Sequence, residues 1–183
     1  TVALLIMLAI NSAFVPFFFK LYDTNKQKKN YTEIYTIADK TVLVSGIIES
    51  VLLLLYPIVL LMIDKSYASS FDIVPVLIFS NILMSIYFLN TNALSVSKKL
   101  NRKKIVGIFL GVLLNIILSY ILVDYIGMKG VAIATLVGFM TSTLYFSFLV
   151  KKFTALKYSN LLYFTYYLLI FISAEMIEEI FTK

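Results

Sequence analysis

Cysteine and histidine are both absent from the 183 residues, and each absence removes chemistry. Without cysteine there is no disulfide, no thiolate metal site and no sulfur nucleophile. Without histidine there is no Ser-His-Asp triad and no imidazole-bound zinc. Charge is scarce as well: Asp, Glu, Lys and Arg make up 14% of the chain, against about 25% in ordinary soluble domains. No phosphate-cradling GxxxxGK and no metal-ligand spacing occurs. Glu175, Glu178 and Glu179 come closest to a carboxylate cluster, and solvation where a helix leaves a membrane accounts for them. The chain reads as neither an enzyme nor a cofactor carrier.

Apolar residues fill the space. They are 61% of the chain and raise its mean hydropathy to +0.93. They fall in blocks near the length of about 20 residues that spans a hydrocarbon core of about 30 Å. The expected fold is all-α, a polytopic membrane bundle with spans at about 1–19, 41–63, 73–97, 105–123, 130–150 and 161–181. Pro16 falls in the last turn of the first span. Pro57 interrupts the second, and Pro75 opens the third, where proline suits a first turn. Residues 20–40 read as a polar loop leading into a short amphipathic helix on the membrane surface. The chain starts at Thr1, already inside an apolar run and with no cleavable leader pattern. It is therefore read as a fragment of a longer protein, cut inside or just before a helix.

The cations alternate by side. Of the Lys and Arg residues, 13 lie in the segments 20–40, 98–104 and 151–160, and only Lys65, Lys129 and Lys183 lie on the other side. By the positive-inside rule the three basic segments are expected to be cytoplasmic. The net charge of +6 then calls for anionic lipid headgroups as partners, and not for nucleic acid.

Polar residues inside the spans are the candidate working parts. Glu49 lies near the middle of the second span, where an ionised side chain costs on the order of 2.5–3.5 kcal/mol. Two readings stand: a carboxylate that couples a proton or sodium ion or contacts a polar substrate, or a protonated Glu hydrogen-bonded to a neighbouring helix. Ser45 one turn before it and Tyr56 two turns after share its face. Asn81, Ser85 and Asn92 lie near one face of the third span. Asn11 and Ser12 in the first span and Asn115 in the fourth add further polar groups. Singly, each is explained by interhelical hydrogen bonds of about 0.6 kcal/mol; as a set they suit a hydrated cavity.

The stretch 115–135, NIILSYILVDYIGMKGVAIAT, turns between two apolar runs, and Gly130, Ala132 and Ala134 form a small-residue face beyond the turn. With AINSAFVPFFFKLY in the first span and the basic KKLNRKK at 98–104, this order of motifs resembles the polysaccharide biosynthesis flippases. These belong to the multidrug/oligosaccharidyl-lipid/polysaccharide exporter superfamily. The resemblance covers roughly residues 1–150. It implies most of one lobe of a two-lobe transporter in a bacterial cytoplasmic membrane. It further implies a polyprenyl-diphosphate-linked oligosaccharide as the substrate, with Lys20 as a candidate contact for the diphosphate. The family often lines its cavity with cations, whereas no Lys or Arg lies well inside a span here. A cation-coupled drug or metabolite antiporter of the same superfamily and a membrane-embedded glycan polymerase are the alternatives.

Overall fold

A computed structural model describes residues 2–28, 30–62 and 73–154, together with Leu156, Tyr163, Leu168 and Ile172. Among the described residues five helices follow one another: α1 (Val2–Lys28), α2 (Thr32–Met62), α3 (Val74–Ser95), α4 (Lys98–Ile126) and α5 (Met128–Phe153). No strand occurs among the described residues. The expected loop at 64–72 lies outside them, as does most of the expected span at 161–181.

The helices overrun the expected spans because a charge ends a membrane crossing without ending a helix. α1 continues through Pro16 and past Lys20 to Lys28. Its extra turns are held by Tyr22, stacked on Tyr31 with ring centroids 6.0 Å apart. Asn25 holds them too, its Nδ2 donating to Glu33 Oε2 at 3.3 Å. The chain breaks at Asn30, whose Oδ1 accepts from Thr32 N at 3.1 Å and Thr32 Oγ1 at 2.7 Å, a local bond that caps the next helix. From there α2 runs unbroken for 31 residues. The separate surface helix expected before residue 41 is instead the first turns of α2. The basic stretch 98–104, expected as a loop, is likewise the start of α4. The turn expected at 124–129 shrinks to Gly127, with φ +59°, a backbone region that glycine enters without a Cβ penalty.

Among the described residues four helical segments are long and apolar enough to cross a membrane: Leu4–Lys26, Val74–Ser95, Lys98–Ile126 and Met128–Phe153. α2 contains the expected second span, but it is not one of these four, and several of its side chains beyond Leu55 lie outside the described set. α3 is the hub and packs against each of the other four helices. α1 and α2 lie on one flank of it, and the tightly paired α4–α5 hairpin on the other. The core joins Phe14 and Phe18 of α1, Ile34 and Val42 of α2, Ile82 and Leu89 of α3, and Phe146 of α5. The outer face of α4 is apolar and open, with Ile105, Phe109, Ile116 and Tyr120 all exposed. Such a face is costly in water and at home in hydrocarbon.

Glycines set the spacing of the hairpin. A Cβ on Gly111 would stand 2.0 Å from Ser142 Oγ and 2.6 Å from Gly138 O. One on Gly138 would stand 2.8 Å from Gly111 O. The two backbones therefore approach as closely as small residues allow, and Ser142 Oγ donates across to Gly107 O at 3.0 Å.

Candidate functional site

The antiparallel pairing of α2 with α3, and the approach of α1 to both, gather polar groups at one level of the bundle. Asn11 of α1, Ser45 of α2 and Ser85 of α3 line one pocket, walled by Met7, Phe14 and Phe88. Its free volume is about 10 Å³, which is at the threshold for a single water. Asn92 Nδ2 donates to Asn11 Oδ1 at 3.0 Å and ties α3 to α1 beside that pocket. Ser45 Oγ and Ser85 Oγ each donate to a carbonyl of their own helix, at 2.8 Å to Thr41 O and Ile82 O. Their hydroxyls keep acceptor capacity for something in the pocket.

Glu49 lies one turn beyond Ser45 on the same face of α2. Its side chain is fully buried (0% exposed). Neither carboxylate oxygen has a hydrogen-bond partner among the described residues. The register that puts Ser45 opposite Ser85 puts Glu49 at the level of Asn81, one turn along α3, which is itself buried. A buried carboxylate without a partner is expensive as an ion. In that position it calls for a proton, a cation or a polar ligand group.

The sequence-derived candidates thus separate. Glu49, Ser45, Asn81, Ser85 and Asn92 fall on the facing sides of α2 and α3, joined by Asn11. Asn115 does not join them. It lines a second pocket of about 100 Å³ between α4 and α5, with Tyr87, Gly111, Thr135, Gly138 and Ser142. There its Oδ1 accepts from Ser119 Oγ at 3.0 Å. Lys20 lines neither pocket; its side chain is exposed on α1, well short of the helix end. The side chain of Tyr56 lies outside the described residues.

Some contributors lie outside the candidate set drawn from the sequence, Asn90 among them although it is one of the polar residues of the third span. Asn90 is fully buried; its Nδ2 donates to Ile86 O at 2.9 Å and to Ser147 Oγ at 3.1 Å, linking α3 to α5. One turn from Ser147, Thr143 Oγ1 is buried with no partner among the described residues. The spacing Ser142, Thr143, Ser147 signals a polar face on α5. Gly107 and Gly111, four residues apart, are the GxxxG pattern that marks close helix packing.

Among the described residues no group of three acidic side chains could hold a metal ion. Asn11, Ser45 and Ser85 bring amide and hydroxyl groups to a pocket at the threshold for one water, and the buried Glu49, one turn along α2 from Ser45, does not itself line it. Compared with known protein families, curated proteins and solved structures, the chain matches none.

Proposed function

We propose that this chain is part of a membrane transporter that flips polyprenyl-diphosphate-linked oligosaccharide repeat units across a bacterial cytoplasmic membrane for surface polysaccharide export. In this reading the described helices belong to a bundle of about six spans that makes up most of one lobe of a two-lobe transporter. The basic segments face the cytoplasm, and residues 161–181 supply the last span.

One observation supports the transport reading: a fully buried Glu49 with no hydrogen-bond partner among the described residues, one turn along α2 from a pocket that Asn11, Ser45 and Ser85 line from three helices. A passive anchor has no need of such a group, and intramembrane acids ordinarily mark ion or substrate paths. The pocket is too small for a sugar. The oligosaccharide head would therefore pass between this lobe and the other, and Glu49 would take up and release a proton or sodium ion. The choice of an oligosaccharide rests on the motif order alone. A cation-coupled antiporter for a small drug or metabolite remains the second reading, because the same buried carboxylate serves it equally well.

Removing the gene from its native bacterium separates the two. The flippase reading predicts loss of surface glycan and accumulation of its lipid-linked precursor on the cytoplasmic leaflet. Unchanged surface glycan together with increased drug susceptibility would favour the antiporter.

A further inference from the structure

The α3–α5 segment is lopsided in charge. Residues 73–154 contain one carboxylate, Asp124, near the far end of α4. Seven cations stand at the opposite end: Lys98, Lys99, Arg102, Lys103 and Lys104 at the start of α4, and Lys151 and Lys152 at the end of α5. At about 1.5 Å per residue, Asp124 lies roughly 30 Å along the helix from Lys103. It is too distant to neutralise the cluster across several Debye lengths.

Two of these cations are held in a particular geometry. Lys103 Nζ lies 3.9 Å from the centroid of the Phe153 ring. Lys152 Nζ lies 5.5 Å from the same ring and 5.4 Å from that of Phe148. A ring face holds an ammonium by its quadrupole without neutralising it. Two like charges from different helices therefore converge on one phenyl group, and no salt bridge to either occurs among the described residues. Lys104 is engaged elsewhere, donating to Ser95 Oγ at 2.7 Å, which pins the start of α4 to the end of α3. Directly below Lys152, at i−4 and i−8 on the same face of α5, Phe148 and Leu144 are exposed. A cation pair thus sits at the top of an apolar strip on the outside of the bundle.

We propose that this end of the α4–α5 hairpin is a seat for one anionic phospholipid, its headgroup phosphate between the Lys103 and Lys152 ammonium groups. The acyl chains lie along Leu144 and Phe148. The phosphate supplies the missing counter-charge, and the apolar strip explains why a lipid fits better than a free anion. The snorkelling of lysine to the headgroup level brings both parts to the same depth. The seat rests on membrane embedding alone, whatever the protein carries.

The test is native mass spectrometry of the full-length protein in detergent, titrated with phosphatidylglycerol or phosphatidylcholine. A direct charge-assisted contact to the phosphate is worth about tenfold or more in affinity, so Lys103→Gln with Lys152→Gln should weaken phosphatidylglycerol retention by roughly tenfold or more. Phosphatidylcholine retention should stay as it was. The pair Lys98→Gln and Lys99→Gln removes the same charge from the same end and should change phosphatidylglycerol retention far less. Equal loss in both double variants would reduce the seat to diffuse attraction and overturn the proposal. So would unaltered retention in the first pair. Displacement of the lipid by millimolar inorganic diphosphate would show a site for free anions, and would also overturn it. Circular dichroism of each variant confirms that the comparison is between folded proteins.

Discussion

α3 and α4 are both long, apolar helices of membrane-crossing length, yet over their most apolar stretches 67% of α3 is buried and only 11% of α4. In a soluble protein the more apolar helix would be the inner one. Here the order is reversed, because a lipid-facing helix gains nothing by hiding Leu and Ile from hydrocarbon. What distinguishes the two is the placement of polar and small residues. α3 carries Ser80, Asn81, Ser85, Asn90 and Asn92, all buried. α4 has Gly107 and Gly111 on the stripe that meets α5 and, beyond its basic start, little other than apolar side chains elsewhere. Side-chain polarity tells inside from outside in this bundle, and hydropathy does not.

The hairpin stripe gives the largest expected effect. Gly111→Leu would drive a side chain into Ser142 and the Gly138 backbone. Overpacking of this kind costs about 1–3 kcal/mol and occasionally more, so α5 should part from α4 and the thermal unfolding of the purified protein should fall sharply. An unchanged melt would mean that the close approach is not maintained in the membrane.

Glu49→Leu probes the other flank. Removing a buried carboxylate that has no partner among the described residues should raise stability, by about 1–3 kcal/mol, and the proposed transport should be lost. A Glu49 serving as interhelical glue would do the opposite on the stability axis, which a denaturation series in mild detergent reads directly.

Breaking the link between Asn92 and Asn11 with Asn92→Ala should cost about 0.6 kcal/mol, the average for an interhelical hydrogen bond in a membrane. A double-mutant cycle with Asn11→Ala isolates that value. The smallest effect belongs to the outer face of α4: Phe109→Leu, at a position 63% exposed, should stay within about 0.5 kcal/mol. A larger loss there would show that something other than lipid covers this face, and would undo the contrast with α3.

Much of the fold could be read from the chain. The apolar blocks located every described helix, Pro75 marked the start of α3, and Gly127 and Gly130 bracketed the turn between α4 and α5. Helix ends were misjudged wherever a cation was taken as a stop. Lys20 and Lys98–Lys104 sit inside helices, because an exposed lysine costs a helix nothing once the opposite face is packed. Leu100, buried within the basic stretch, shows this directly.

The candidate site was half legible. Glu49 stood out because an acid is rare at that depth, and Ser45 and Ser85 followed from helical spacing on their own helices. Which helices face each other is tertiary information. Asn11 and Asn92 bond across 81 positions, and nothing local couples them. For the same reason Asn115 was grouped with residues on the far side of α3, when its own neighbours are Gly111 and Gly138.

The central claim is that the buried acid between α2 and α3 does the work of transport. Its most direct test is substrate translocation by the full-length protein carrying Glu49→Gln, which removes the ionisable group and keeps the shape. The expected result is a loss of about tenfold or more, equivalent to at least about 1.4 kcal/mol, with normal membrane insertion and partial recovery in Glu49→Asp. Full translocation by the Gln variant would contradict it and leave Glu49 a structural residue.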